Sequence, residues 1–363
     1  MEKQFDDIMN YSCKNKEVFE KLSALCRCRM IVPYIGAGLS KFAGFKTWDE
    51  FIGENKKCLS DTERKETNNI VVAGLIEEVL GKEKFREIIK NSFGGNWKYE
   101  DLERILKEKK FEEQAVSVIP KLFWGPIITT NFDMILEYIH KDILGFEIVL
   151  PKNLERKITQ YRKERNRFLY KIHGCVSDTE NIIITDVDYK KAYKENSEFE
   201  KSLENFFLGF HFLFIGCGLY LGEDGTKDKP VEVWEQLIEK NVMYHYAILE
   251  CEKNKLEKRR EELENRRIHP ILYEKDKHES VKIILDKLLS EKNASSISED
   301  SYYIAKKLLD EENERMKNLT IEYSNNDMMA IEKDRDKLTK EANKIYENIY
   351  GNVLLKYNNL KRK

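Results

Sequence analysis

Met30-Ile31-Val32-Pro33-Tyr34-Ile35-Gly36-Ala37-Gly38-Leu39-Ser40 is the stretch on which the fold turns. A short apolar run rich in β-branched residues enters two glycines at once, which predicts a buried strand leading into a tight turn. Thr47-Trp48-Asp49-Glu50 follows, with Thr47 placed to cap a helix whose first turn is acidic. Upstream, residues 1–28 are expected as one helix. Downstream, residues 56–123 show helical spacing (Ile70, Ala73, Ile76; Phe85, Ile88, Ile89; Leu102, Ile105, Leu106), so a helical block of about 70 residues separates the first strand from the second.

The second strand is Ile127-Ile128-Thr129-Thr130, followed by Asn131-Phe132-Asp133 and a helix from Met134 to His140. Further strands are expected at 146–150, 168–172, 182–185, 212–215, 244–249 and 268–273. Helices are expected at 199–208, 231–240, 253–266 and 279–289. Strands alternating with helices predict an α/β fold, a mostly parallel sheet with helices on both faces. Ligands of such sheets bind at the carboxyl ends of the strands, beside a topological switch point.

From about residue 291 the composition changes. The stretch to 363 lacks Pro, Phe, Trp, Cys and His and holds fourteen acidic and fourteen basic residues. Leu338, Ala342, Ile345, Ile349 and Val353 fall on one helical stripe, so 291–363 reads as a helical appendage behind a unit spanning 1–290.

Composition narrows the function. A 41% hydrophobic content with 18 Phe and 18 Tyr excludes a disordered chain. Lys+Arg 63 against Asp+Glu 65 gives net charge −2, so no direct nucleic-acid binding is expected. No run of eighteen apolar residues and no basic-apolar leader are present, which points away from the membrane and from secretion. Seven scattered cysteines, with Cys26-Arg27-Cys28 as a C-x-C rather than a C-x-x-C, fit free thiols in a reducing cytoplasm and no metal site.

Chemistry concentrates at four strand ends: Gly36-Ala37-Gly38-Leu39-Ser40, Thr130-Asn131-Phe132-Asp133, His173-Gly174 and Gly216-Cys217-Gly218. Glycines let a backbone approach a ligand, and amides at a following helix start favour phosphate. A plain turn is the competing reading for each glycine pair. A helix cap competes for Asp133, and a structural imidazole for His173. Together the set suits a phosphate-bearing nucleotide and one acid–base residue. There is no Walker lysine and no nucleophile with an evident base.

On these four motifs, in this order, residues 28–290 resemble the sirtuin family. Thr47-Trp48, Glu137, Thr185 with Tyr189, and Tyr273 with His278 bring it nearest the divergent bacterial branch that serves as antiphage-defence effectors. The resemblance implies a Rossmann-like fold that binds NAD. Gly36, Ala37, Gly38 and Ser40 would hold the pyrophosphate and nicotinamide side, with Thr130 beside them. Gly216 and Gly218 would line the adenosine side. Asn131 would contact the nicotinamide ribose and order a water, Asp133 would bind the carboxamide, and His173 would be the general base.

The zinc module, the Pro-Asp-Phe-Arg stretch and the Phe-Gly-Glu element of the deacylases have no counterpart here. The resemblance therefore implies an NAD hydrolase that depletes NAD when activated. It would act as a homo-oligomer, with an activating partner such as a helicase-like ATPase or a phage component. Protein deacylation, ADP-ribosyl transfer, a non-catalytic NAD or ADP-ribose sensor, and a structural subunit beside a DNA-handling partner stand as alternatives.

Overall fold

The computed structural model of this chain describes residues 2–143, 146–150, 167–192, 210–219 and 244–294. The helices expected at 199–208 and 231–240, and all of the appendage beyond Ala294, lie outside the described residues.

Seven strands form one sheet: β1 (Ile31–Ile35), β2 (Ile127–Thr129), β3 (Glu147–Val149), β4 (Phe168–Lys171), β5 (His211–Ile215), β6 (His245–Cys251) and β7 (Ile268–Glu274). Their order is β3-β4-β2-β1-β5-β6-β7, and every described pairing is parallel. On one side of β1 the chain adds β2, then edge strand β3, then β4 between them; it then crosses to the other side for β5, β6 and β7. The switch point therefore lies at β1 and its two neighbours.

Alternation along the strands separates two cores. Ile31 and Ile35 of β1, with Leu213 and Ile215 of β5, face one layer, where Leu22 and Leu25 of the N-terminal helices and Ile284, Leu285 and Leu288 of the last helix pack. Val32 and Tyr34, with Phe212 and Phe214, face the other, together with Leu263. Both faces are buried, which explains the near-continuous apolar reading of β1 and β5.

A third core belongs to the helical insertion. Phe51 of α3 (Trp48–Asn55), Val72 and Ile76 of α4 (Asn69–Leu80), and Phe85 and Ile89 of α5 (Lys82–Ser92) cluster with Phe132, Cys175, Val176, Ile182 and Ile184. The insertion thus closes over the strand ends that carry the motifs. Thr47 caps α3 as expected: its Oγ1 accepts from Glu50 N, and Glu50 Oε2 accepts from Thr47 N.

Three expectations are corrected. Residues 1–28 form two helices, Glu2–Tyr11 and Asn15–Arg27. The break is held by buried Asn15, which donates to Ile8 O and Leu272 O, and by Arg260, which donates to Ser12 Oγ at 2.8 Å and Asn15 Oδ1 at 3.1 Å. Residues 182–185 are not a strand. They touch the His arm through one backbone bond, Ile183 N to His173 O, while Ile182 and Ile184 enter the insertion core. Finally, the last described helix runs Glu279–Ala294, past the compositional change at 291; Lys292 Nζ donates to Leu122 O and ties it to the body.

Candidate active site at four adjacent strand ends

The four motif-bearing strands, β4, β2, β1 and β5, are consecutive in the sheet. All the residues expected in the site leave its carboxyl edge together. Asn131 and His173 each stand two residues beyond the register pair Thr129–Lys171, and Gly36 and Gly216 one residue beyond the pair Ile35–Ile215.

The two glycine loops are packed on each other. Gly36 N donates to Ile215 O and Gly38 N to Gly216 O, each at 2.9 Å. A Cβ on Gly36 would lie 2.5 Å from Gly216 O, and one on Gly38 would lie 2.9 Å from the same atom. Gly216 itself has φ +68°, open to glycine but strained for other residues. Glycine is therefore needed here for backbone against backbone. The amides of Gly36 and Gly38 are taken up by the neighbouring loop and are not phosphate donors in this geometry. The element after Gly36 is the 3-10 helix Ala37–Ala43, not an α-helix start. Arg259 Nη2 donates to Gly218 O and Leu219 O at 3.0 Å, anchoring the far end of the second loop. The Cys217 thiol lies 3.6 Å from the carbonyls of Tyr34 and Ile215.

At the end of β2, Thr129 Oγ1 donates to Ile35 O at 2.8 Å and accepts Asn131 N at 3.0 Å. Thr130 N donates to Ile35 O. The Asn131 amide is thereby aimed at the first loop: its Nδ2 donates to Ser40 Oγ at 3.0 Å and Gly36 O at 3.2 Å. Asn131 and Ser40 are 4% and 2% exposed, and Asn131 Oδ1 has no hydrogen-bond partner. A buried acceptor without a donor is costly, and a ligand hydroxyl or water would satisfy it. Asp133, also buried, accepts Ile135 N at 3.0 Å, just ahead of the helix Ile135–His140, whose N-cap position is Met134. One Asp133 oxygen is thus taken up at the helix start.

His173 is buried, and burial pushes its imidazole down to about 3, so the ring is neutral. Tyr189 Oη lies 3.3 Å from Nε2, with the rings edge to face. Gly174 follows at φ +88°, where a Cβ would meet Asn181 O and Ile182 Cα at 3.0 Å. The turn that presents the histidine thus requires glycine.

One group was not singled out by sequence reasoning. Lys171 is fully buried and donates to Phe132 O at 3.2 Å, to Asp133 O and to Glu137 Oε1 at 2.5 Å. Burial works against its charge, but the Glu137 carboxylate holds its pKa above normal; burial also pushes Glu137 upward, against the pull of Lys171. Cys175 Sγ lies 3.3 Å from the same oxygen of Glu137. A lysine inside Phe168-Leu169-Tyr170-Lys171-Ile172 was the available signal, since a charge is absent from a buried strand unless it is paired. Above the site, buried Arg86 of α5 pairs with Asp188 at 2.8 Å, joining the insertion to the helix that carries Tyr189.

Among the described residues, Glu250, Asp276 and His278 form the one group with metal-ligand spacing; all three are exposed and lie at the ends of β6 and β7. No helix among the described residues is long and apolar enough to cross a membrane.

Comparison with known proteins agrees with this architecture. Residues 126–271 match the SIR2-like domain. The chain is similar to the NAD(+) hydrolase ThsA of Enterococcus faecium, 23% identical over 220 residues, which is 60% of this chain and 42% of that protein. It is 25% identical over 217 residues to the NAD(+) hydrolase ThsA of Acinetobacter baumannii (strain 532279), 59% of this chain and 41% of that protein. Against that of Bacillus cereus (strain MSX-D12) it is 22% identical over 251 residues, 69% of this chain and 46% of that protein. The chain therefore spans less than half the length of these relatives. Over residues 126–271 the chain is thus similar to the SIR2-like domain, on a seven-stranded parallel sheet of Rossmann-like form.

Proposed function

We propose that the chain is an NAD glycohydrolase, which splits NAD into nicotinamide and ADP-ribose and acts in the cytoplasm as an antiphage-defence effector. One observation carries the reading: a buried acceptor without a hydrogen-bond partner, Asn131 Oδ1, lies at the carboxyl ends of four adjacent parallel strands. The relatives named as NAD(+) hydrolases support it.

The bond from ribose C1′ to nicotinamide is activated, because the leaving group is a cationic pyridinium. The protein's task is to hold the ribose, stabilise oxocarbenium character and deliver water. Asn131 Oδ1 accepts from the ribose hydroxyl or the attacking water. Its Nδ2, held by Ser40 and Gly36, fixes the direction of that acceptor. Water adds at C1′, the glycosidic bond breaks with its electrons leaving on nicotinamide, and the water's proton passes to neutral His173. An imidazole with a pKa near 3 is a weak base. That suits a step in which departure of the leaving group runs ahead of proton removal. Asp133 meets the carboxamide with Oδ2, the oxygen not bonded to Ile135 N. Ala37, Ser40 and Thr130 border the nicotinamide ribose, Gly36 and Gly38 shape the pyrophosphate side sterically, and Gly216 and Gly218 flank adenosine. No metal is required by this scheme.

Chromatography of NAD incubated with the wild type, Asn131→Ala and His173→Ala tests this. Nicotinamide and ADP-ribose should appear with the wild type and fall strongly with both variants. Intact NAD with the wild type under all activating conditions, or full activity in both variants, overturns it. Label carried to a protein instead of to water would mark an ADP-ribosyltransferase.

Unrestrained NAD loss would kill the cell, so activity must be gated. The helical insertion over the site and the 291–363 region, whose sequence has helical spacing, are the parts assigned to gating, homo-oligomer assembly and contact with an activating partner. Light scattering and NAD turnover of a chain ending at Ala294 decide that assignment: an unchanged oligomer with unchanged activity removes it.

A further inference from the structure

We propose that Lys171, held by Glu137, is a positioning residue: its ammonium group clamps the backbone of Phe132 and Asp133 and so sets Asn131 against His173. The inference rests on the hydrolase reading for its catalytic readout only.

An ammonium has three protons to give, and all three are placed. Two go to the carbonyls of Phe132 and Asp133 and one to Glu137 Oε1. Two acceptors lie on the connection from β2 into the helix Ile135–His140 and the third lies in that helix, so all belong to the arm that carries Asn131. The donor lies two residues before His173, on the arm from β4. One side chain therefore spans both halves of the site, and Val176 N, donating to Phe132 O at 3.1 Å, repeats the crossing.

Stability alone does not account for such a pair. Lys171 and Glu137 have side-chain exposures of 0% and 1%, and a buried ion pair can commonly be replaced by apolar side chains of similar volume without loss of stability. What an apolar pair cannot do is donate to two main-chain carbonyls. Loss of that clamp lets the Asn131 segment shift, and a displacement near 1 Å costs roughly 100-fold in rate.

The discriminating protein is Lys171→Met/Glu137→Met, compared with the wild type and with Glu137→Gln in full-length chains. Melting temperature, kcat and KM for NAD, and hydrogen–deuterium exchange over residues 129–137 are measured on each. Positioning predicts a folded double variant whose melting temperature falls by no more than a few degrees, the cost of leaving Asp133 O without its lysine donor. Its kcat should fall about 100-fold with little change in KM. Exchange at Asn131 to Ile135 should be faster, and Glu137→Gln should lie between. A merely structural pair predicts that the double variant recovers kcat along with stability and shows wild-type exchange, and that result overturns the proposal. If the wild type cleaves no NAD, the hydrolase reading fails and exchange at 131–135 alone decides the clamp. If the double variant does not fold, Glu137→Gln decides: wild-type kcat and exchange would overturn the clamp, and lowered kcat with faster exchange would support it.

Discussion

Asn131 Nδ2 and Ser40 Oγ meet at 3.0 Å, joining residues 91 apart in sequence and leaving Asn131 Oδ1 buried and unpartnered. The amide is held by one end while the other lacks a donor. Asn131→Ala removes that acceptor and should lower kcat by about 10²–10³, the usual cost of losing one preorganised polar contact in a transition state. The melting temperature should move by only a few degrees. Steady-state NAD hydrolysis beside thermal unfolding checks it, and a collapse of stability with activity per folded molecule intact would contradict it.

The glycine loops make a second prediction. In Gly36→Ala the new methyl would stand 2.5 Å from Gly216 O and 2.8 Å from Cys217 Sγ. The loops must part, at a cost of ~1–3 kcal/mol, and NAD binding should be lost with their packing. Gly53, inside α3 with nothing within 4 Å of its Cβ, is the control. Gly53→Ala should stabilise by roughly 0.5–1 kcal/mol. Chemical denaturation of both variants and isothermal titration with NAD make the comparison.

Histidines should make the protein acid-sensitive. Burial pushes His173 to about 3, His140 and His211 to about 4, and His245 well below 6.5. Unfolded, each titrates near 6.5, so between these limits the unfolded chain holds more protons. Stability is then full above about pH 6.5 and falls as pH drops below it, by up to about 1.4 kcal/mol per pH unit for each histidine. Urea midpoints at pH 7, 6 and 5 should decrease in that order. Over the range where the protein stays folded, kcat/KM should show no inflection near 6.5 from His173.

Arg86 is 3% exposed and pairs with Asp188 at 2.8 Å and Glu77 at 3.3 Å. Asp188 also accepts Ile184 N and Thr185 N, fixing the segment between the His173 turn and Tyr189. Arg86→Met removes the cation paired with both acids, each about a quarter exposed, and should destabilise by ~1–3 kcal/mol. Hydrogen exchange should rise over residues 182–189 as well as in α5. Exchange confined to α5 would show that the insertion is not coupled to the histidine arm.

How much of this was legible beforehand follows from what each signal depends on. The strand β1, its glycine exit and the Thr47 cap depend on neighbours in sequence, and apolar runs with turn residues state them directly. Residues 182–185 have the same apolar look as a strand yet form none. Ile182 and Ile184 instead point into the insertion core, which no local pattern reveals. The break at Ser12–Lys14 was hidden for a similar reason, because its cause is Arg260, almost 250 residues away.

The sequence by itself determined the α/β class, the helical insertion and the four strand ends where polar residues follow apolar runs, because burial periodicity and turn chemistry are local. Only the tertiary structure decided that those ends are four consecutive strands at a switch point, since strand order depends on crossovers and not on neighbours. It also decided what the residues do there. Gly36 and Gly216 pack on each other, Asn131 keeps one lone-pair oxygen free, His173 is neutral through burial, and Lys171 in β4 reaches the backbone of the Asn131 arm. Each of these is a contact or a desolvation between distant segments, and its energy exists only once the chain has folded.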